Sequence, residues 1–347
     1  MTPERLEELL ARFDGLRVAM LGDLFLDRWW TVEPALDEPS LETGLTAWQV
    51  VEKRSSPGAG GTVLNTLSAL GVGTLYAISL AGDDGDGAEL MMRLRERRVD
   101  TSLVAVSDGF VTPTYVKPLF RQPDGALREG NRLDLKNRRE TPKELQRKMI
   151  ESMRALAPQV DAMILLDQLT DENAGVLTAA VREAAAELAR QPGAPLFFAD
   201  SRAFLSRFRG VTVKCNNLEA GALTGVEAGE PFSAQNAFEA LARMEALCEG
   251  SVYVTCNRHG VAVRDGDGFR LIPAARQSDE IDVCGAGDAC TAGIVAALCA
   301  GASPAEAAFV GNLCSGVTVR KLGTTGTASR DELRALYREQ FAEARYE

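Results

Sequence analysis

Residues 282–290, with the sequence DVCGAGDAC, place a flexible Gly-Ala-Gly run between two carboxylates. The small apolar run ACTAGIVAALCAGA begins directly after Asp288 and predicts a buried helix that starts near Gly287. The glycines then lie at the helix N-terminus, where free backbone N–H groups and the helix dipole attract anions. A carboxylate beside an anion suggests a proton acceptor. An ordinary loop followed by a helix fits the same letters, and both interpretations stand at this point.

The composition restricts the classes of protein to which the chain can belong. Its 347 residues suggest one large or two ordinary domains, and 46% hydrophobic residues are enough for a sizeable core. A net charge of -11 argues against a general nucleic-acid binder. The first residues predict a charged amphipathic helix running into a strand, without the apolar core of a signal peptide, and the longest apolar run is too short for a bilayer. We therefore expect a cytoplasmic protein without a membrane partner.

Cysteine and histidine offer little chemistry. The seven cysteines all lie from Cys215 onward, none forms a C-x-x-C pair, and His259 is the single histidine. This pattern argues against a metal–thiolate site, a disulfide framework and Ser-His-Asp or Cys-His catalysis. Acid–base chemistry must then come from Asp, Glu or Lys.

Strand-like apolar runs alternate with helical segments through most of the chain, which predicts an α/β fold with a doubly wound, mostly parallel sheet. The predicted strands include residues 16–22, 74–82, 161–167, 194–200, 211–216 and 251–256, and the predicted helices include residues 60–71, 87–99 and 172–191. Two segments, about 29–56 and 104–135, break the alternation and predict a small β-layer that serves as a lid. Ordinary surface hairpins would show the same pattern.

Several motifs together resemble the ribokinase-like (PfkB) carbohydrate kinases, which carry a D-T-x-G-A-G-D signature at the start of a late helix. DVCGAGD is similar to that signature, and the resemblance covers nearly the whole chain, so it implies one ribokinase-like kinase domain over residues 1–347. Within the family, LGDLFLDRWW, SPGAGGTVLNTLSALG, NNLEAGALTG and RKLGTTGT resemble segments of the heptose phosphate kinase branch of the ADP-heptose pathway.

The resemblance implies ATP-dependent phosphoryl transfer to a hydroxyl of a sugar or sugar phosphate. Asp288 resembles the general base that accepts the hydroxyl proton. The N–H groups of Gly285, Ala286 and Gly287 resemble the anion hole that stabilises developing charge. Asp282 looks like a support for this loop or for a monovalent cation nearby.

The resemblance also implies a nucleotide site with Mg²⁺. Asn216 and Glu219 match the N-x-x-E motif, which in the family organises Mg²⁺ and its waters around the triphosphate, so Glu219 would act on the metal through water. Four further positions match nucleotide-contacting segments, and these are Thr255, Gly260, Asn312 and Gly316.

The segments that match the acceptor-binding part of the family depart from the family pattern at several residues. Asp27 matches the family aspartate that binds sugar hydroxyls, and Gly58 opens the sugar-binding glycine segment. Ala59 stands where the family has a second glycine, Thr62 where it has a sugar-contacting asparagine, and Cys284 where the signature has threonine. The sequence therefore supports phosphoryl transfer better than it supports any named sugar.

Cations around this pocket suggest an acceptor that already carries a phosphate or a carboxylate. Arg202 stands where the branch has lysine, and Lys117, Arg121 and Arg132 lie on the expected lid strands. Solvated lid residues would look the same. In the family such lids often pair between subunits, so the resemblance also implies a homodimer.

Other functions stay open at this point. A kinase of the same fold could use another acceptor, such as a nucleoside or a different sugar phosphate, and an inactive nucleotide-binding sensor is the alternative outside enzymes. The presence of Asp288 argues against the sensor. The first strand ends in LGDLFLD without G-x-G-x-x-G, which argues against a dinucleotide-binding oxidoreductase.

Overall fold

A nine-stranded main sheet organises the protein, whose computed structural model describes residues 1–277 and 280–341. The strands are β1 Arg17–Gly22, β2 Leu24–Val32, β3 Glu38–Pro39, β4 Thr46–Ala47, β5 Val50–Ala59, β6 Thr74–Gly82, β7 Val99–Ser107, β8 Thr114–Arg121, β9 Leu127–Glu129, β10 Leu133–Leu135, β11 Ala162–Asp167, β12 Leu196–Ser201, β13 Thr212–Asn216, β14 Val252–Thr255, β15 Val261–Asp265 and β16 Gly268–Ile272. The helices are α1 Pro3–Ala11, α2 Gly60–Ala69, α3 Gly85–Glu96, α4 Lys143–Leu156, α5 Ala179–Ala189, α6 Asn217–Thr224, α7 Ala234–Cys248, α8 Ala286–Cys299, α9 Pro304–Thr318 and α10 Arg330–Gln340.

The main sheet has the strand order β16-β15-β14-β13-β12-β11-β1-β6-β7, and the strands from β14 to β7 are parallel. β15 and β16 add an antiparallel edge. Strands β1 and β11 are buried almost throughout, and successive residues of β1 belong to two different hydrophobic clusters. Such two-sided burial is typical of a parallel sheet covered by helices on both faces, so the predicted α/β class is confirmed. No helix in residues 1–277 and 280–341 combines the length and apolar character needed to cross a membrane.

A separate small sheet, formed by β5, β2, β8, β10 and β9, corresponds to the expected lid. Its strands begin earlier than the predicted first segment, because β2 starts at Leu24 directly after β1 and β5 continues to Ala59. The second segment was placed too early, since Val104 to Ser107 lie in β7 and pair with β6 of the main sheet. The edge strand β7 is exposed on part of its length, so it shows the same alternation as a strand of a small sheet.

The helix predicted over residues 172–191 is shorter than expected, because α5 covers only Ala179–Ala189. The residues before it form a loop held by Asp23, a buried carboxylate that follows β1. Asp23 accepts backbone hydrogen bonds from Gln168 (2.9 Å) and Val176 (2.9 Å). A carboxylate that captures backbone N–H groups competes with helix formation, which the apolar periodicity of the segment does not reveal.

Ala59, which stands at the position of the family's second glycine, has an unusual backbone conformation at the junction of β5 and α2. Its φ is 51° and its ψ is -121°, a region that favours glycine. We expect Ala59→Gly to raise the free energy of unfolding by about 1 kcal/mol, because relief of backbone strain exceeds the entropy cost of glycine.

The matched control is Ala69→Gly at the end of the same helix. Ala69 belongs to α2 and has ordinary helical geometry, so glycine there should lower stability by about 0.5–1 kcal/mol. Urea unfolding of the two variants measures both changes. A loss of stability in Ala59→Gly as large as that in Ala69→Gly would contradict the assigned strain.

Candidate active site

The helix α8 begins at Ala286, one residue before the predicted start near Gly287. Gly285 is the N-cap residue with φ 77°, and a Cβ there would stand 2.7 Å from Cγ2 of Thr325. The carboxylate of Asp282 accepts hydrogen bonds from the backbone N–H groups of Cys284 (2.9 Å) and Gly323 (3.1 Å). Asp282 therefore ties the loop to the segment after α9, which is one of the two roles expected for it. A monovalent cation near it stays a prediction.

Backbone N–H groups at this helix start differ in their availability. The N–H of Ala286 donates to the carbonyl of Val283 at 3.2 Å. No hydrogen bond is formed by the N–H groups of Gly285 and Gly287 within the described residues. An anion at this helix start would therefore meet Gly285 and Gly287 more readily than Ala286, and its binding stays a prediction.

Asp288 lies half-buried in the first turn of α8. Burial raises the pKa of its carboxyl to about 7, and the negative charge of Asp200 adds to this, whereas Lys214 and Arg202 oppose it. A carboxylate with a pKa near neutrality can accept a proton during a reaction and release it afterwards. The position and the pKa of Asp288 both fit the general base expected from the sequence.

Lys214 is a residue of the site that sequence reasoning missed. It lies opposite Asp200 in the β12–β13 register, is 5% exposed, and its ammonium is 2.7 Å from Oδ2 of Asp200. A Cβ on Gly287 would stand 3.7 Å from Lys214 Nζ, so the ammonium lies beside the first turn of α8. Burial alone would lower the pKa of Lys214, but Asp200 and other nearby groups hold it above its usual range. A lysine inside the apolar strand VTVKCN was the available signal.

Asn216 and Glu219 form a capping box at the start of α6. The Asn216 side chain accepts from the Glu219 N–H at 2.8 Å, and Glu219 Oε2 accepts from the Asn216 N–H at 2.8 Å. The N-x-x-E motif thus has a structural role in this protein. Burial, followed by Asp200, raises the pKa of Glu219, while Lys214 and Arg202 lower it, so Glu219 belongs to the same charged cluster.

A hydrated Mg²⁺ ion fits the donors present at this cluster. Within the described residues Oε1 of Glu219 has no hydrogen-bond partner, and carboxylate oxygens are the donors that Mg²⁺ prefers. The described residues include no group of three or more His, Cys, Asp or Glu side chains able to hold a metal ion. Contact through water and through phosphates of a ligand is the arrangement that such a sparse donor set can support.

The small sheet contributes Asp27 of β2, which is 9% exposed. A Cβ on Gly58 would stand 2.6 Å from Oδ2 of Asp27, so this close approach of β5 requires glycine. Burial raises the pKa of Asp27, and the negative charge of Asp27 in turn raises the pKa of Asp288. Thr62 of α2 is 2% exposed, and its Cγ2 is 3.3 Å from the place of a Cβ on Gly285. Thr62 therefore lies beside the α8 loop and Asp27 lies close enough to Asp288 to affect its pKa, and the region around these residues is called the cleft below.

The cations expected around the acceptor divide into two groups. Lys117 and Arg132 lower the pKa of Asp27, and their side chains lie over Trp29 (4.9 Å) and Tyr115 (4.2 Å) respectively. Arg202 is exposed, and its positive charge lowers the pKa of Asp288. The expectation for Arg121 is wrong, because it lies near the far end of β8 and forms an ion pair with Glu33 at 3.0 Å. Strand register determines which lid cations reach the cleft, and alternation alone does not reveal it.

The four remaining residues predicted to contact the nucleotide each have a structural role in the protein. Asn312 donates to the carbonyls of Ile272 (2.8 Å) and Pro273 (3.0 Å), which holds the segment after β16 against α9. Gly316 packs so closely that a Cβ would come within 2.8 Å of Ala275 Cβ. Gly260 has φ 104°, and Thr255 ends β14 with its hydroxyl donating to the Cys215 carbonyl at 3.3 Å. Their contacts with a nucleotide stay predictions.

A model of the pfkB family carbohydrate kinases matches residues 49–331. The chain belongs to this family. The kinase is 32% identical over 335 residues to the bifunctional protein HldE of Caulobacter sp. (strain K31), and 28% identical over 334 residues to that of Desulfatibacillum aliphaticivorans. These alignments cover 95% and 94% of the kinase but only 64% of each relative, so the chain spans a little under two thirds of their length.

Solved structures confirm the ribokinase-like fold of the kinase. Phosphofructokinase-2 from Escherichia coli, in complex with substrates and products, superposes with a TM-score of 0.72 at 17% identity over 94% of the kinase and 99% of that chain. A ribokinase from Thermotoga maritima gives a TM-score of 0.65 at 18% identity, over 93% and 99% of the two chains. Family membership and fold together place the chain among the pfkB carbohydrate kinases with a ribokinase-like structure.

The raised pKa of Asp288 leads to a prediction about pH. A general base works only when ionised, so we expect kcat/KM of the kinase to fall as the pH drops through about 7. Lys214→Met should move this acidic limb to higher pH, because Lys214 lowers the pKa of Asp288 and neutralises Asp200. Steady-state rates over a pH series measure both profiles.

Lys148→Met is the matched control, since Lys148 lies on the exposed face of α4 and pairs with Glu144. Its profile should coincide with that of the unmodified kinase. If the acidic limb of the kcat/KM profile stays in place or moves to lower pH in Lys214→Met, the assigned effect of Lys214 on the pKa of Asp288 is contradicted.

Proposed function

We propose that this pfkB kinase transfers the γ-phosphoryl group of ATP to a hydroxyl of a sugar phosphate of the heptose phosphate type. The observation that carries the proposal is the position of Asp288, which combines a raised pKa with a place in the first turn of α8 beside Lys214. The sequence resemblance to the heptose phosphate kinase branch and the similarity to two bifunctional HldE proteins support the acceptor class.

In the proposed reaction, Asp288 accepts the proton of the acceptor hydroxyl as its oxygen attacks the γ-phosphorus and ADP leaves. The free N–H groups of Gly285 and Gly287 and the helix dipole of α8 stabilise charge on the transferring phosphoryl group. Lys214 lies beside the same turn and supplies a fixed positive charge without a change in protonation. Mg²⁺, held near Glu219 through water, would supply additional neutralisation of the triphosphate when it is bound.

Asp27 would orient the acceptor. Its carboxylate faces the cleft from β2, and carboxylates bind sugar hydroxyls as hydrogen-bond acceptors. Lys117 and Arg132 lie close enough to Asp27 to shift its pKa, and Arg202 reaches the cleft from the end of β12. Lys117 and Arg202, in a chain of net charge -11, favour an acceptor that carries its own anionic group, whereas the guanidinium of Arg132 is already paired with Asp134.

The acceptor class predicts a specific pattern in an ATP assay. We expect the kinase to phosphorylate heptose phosphates and related sugar phosphates, detected by mass, much faster than the corresponding neutral sugars. Arg202→Ala should raise KM for the sugar phosphate by about 10-fold, as expected for a partly solvated charge pair, and change KM for ATP far less.

Arg121→Ala is the matched control, because Arg121 lies on the same small sheet but pairs with Glu33 away from the cleft. It should leave both KM values unchanged. Neutral sugars that react as well as their phosphates, or an unchanged acceptor KM in Arg202→Ala, would refute the anionic acceptor while leaving the kinase assignment intact.

We also propose that two copies pair through the small sheet. Val51 of β5 and Leu133 of β10 are 50% and 59% exposed, and Leu45 (71%) and Trp48 (57%) are exposed on either side of β4, just before β5. A second copy would cover these apolar side chains. Light scattering should give twice the mass of one chain, and Val51→Glu should reduce it to that of a monomer. A monomer at high protein concentration before any substitution would contradict the pairing.

A further inference from the structure

A cavity of about 690 Å³ lies at the end of the main sheet opposite the catalytic cluster. Its lining includes Asp161 before β11, Leu196 at the start of β12 and Val252 at the start of β14, whereas Lys214 lies inside β13 and Asp288 lies in the first turn of α8. Cys299, the last residue of α8, also lines it. Because α8 has 14 residues, its two ends are separated by about 20 Å, so the cavity is distinct from the cleft.

The cavity contains a polar side chain without a partner. Tyr253 of β14 lines it and is 1% exposed, and its hydroxyl forms no hydrogen bond within the described residues. Burial raises the pKa of Tyr253, so the hydroxyl stays neutral and can donate or accept. A hydroxyl that has no protein partner and belongs to a residue lining a cavity of this size is available to a ligand.

The size and walls of the cavity suit an organic ligand rather than a single ion. A volume near 690 Å³ falls within the range of small-molecule pockets. Val252, Val263 and Leu298 give it apolar walls on which a flat ring can lie.

The charges of the lining favour a cation. Arg264 is the cation that lines the cavity within the described residues, and its guanidinium is already paired with Glu245 at 2.7 Å. Asp161 is exposed at the rim and forms no ion pair within the described residues, although its Oδ2 accepts the backbone N–H of Arg17 at 2.8 Å. One carboxylate is therefore left uncompensated, which attracts a cation and repels an anion.

We propose that this cavity is a second ligand site, which binds a planar organic cation such as an aryl amidine or an aryl guanidine through the Tyr253 hydroxyl and Asp161. The ring lies between Val252, Val263 and Leu298, and the cationic group donates to Tyr253. The proposal concerns binding alone and does not depend on the identity of the sugar acceptor.

Two probes of the same shape and opposite charge test the site, namely benzamidine and benzoate. Isothermal titration of the full chain should show saturable binding of benzamidine and at least about ten-fold weaker binding of benzoate. Tyr253→Phe should lower the affinity for benzamidine by about 3- to 10-fold, the usual effect of one lost hydrogen bond. Tyr76→Phe, which removes a hydroxyl from β6 outside the cavity, is the matched control and should have no effect.

A blocking variant distinguishes binding in this cavity from binding in the catalytic cleft. Ala194 lines the cavity from a loop before β12, so Ala194→Trp should fill it and abolish benzamidine binding while kinase turnover and thermal unfolding stay as in the parent. Absence of saturable benzamidine binding, equal binding of benzoate, or unchanged affinity in Tyr253→Phe or Ala194→Trp would each overturn the proposal.

Discussion

The buried ion pair between Lys214 and Asp200 is the interaction on which the candidate site depends. It places a full positive charge beneath the first turn of α8, where a helix N-terminus already favours anions. The same pair sets the electrostatic surroundings of Asp288, because Asp200 raises its pKa and Lys214 lowers it. Removal of one partner would leave the other charge buried and uncompensated. Substitution of either residue alone should therefore lower the free energy of unfolding substantially.

The main sheet brings this pair under α8. Asp200 and Lys214 come from neighbouring strands whose carboxyl ends meet at one edge, and the hydroxyl of Thr291 on α8 donates to Asp200 at 3.2 Å. The small sheet contributes Asp27 from β2, which follows β1 after a single residue and therefore cannot move far from the main sheet. One cleft thus receives groups from both sheets, and the crevice at the carboxyl ends of the strands is where doubly wound proteins generally bind ligands.

The sequence revealed the parts of this site that depend on local backbone chemistry. The helix predicted to start near Gly287 begins at Ala286 with Gly285 as its N-cap residue, and Asp288 lies in the first turn. Lys214 was missed because its role comes from strand register, which pairs it with a residue 14 positions earlier. Arg121 was misplaced for the same reason. The loop held by Asp23 was taken for helix, since a long-range hydrogen bond to the backbone leaves no periodic signal.

The central claim is that Asp288 acts as the general base, and Asp288→Asn tests it most directly. Asparagine preserves shape and cannot accept the proton, so ATP affinity measured by titration should stay within a few-fold of the parent. ADP release with saturating ATP and the preferred sugar phosphate should fall by about 10²- to 10⁴-fold. Turnover within a few-fold of the parent, with the same product, would contradict the account.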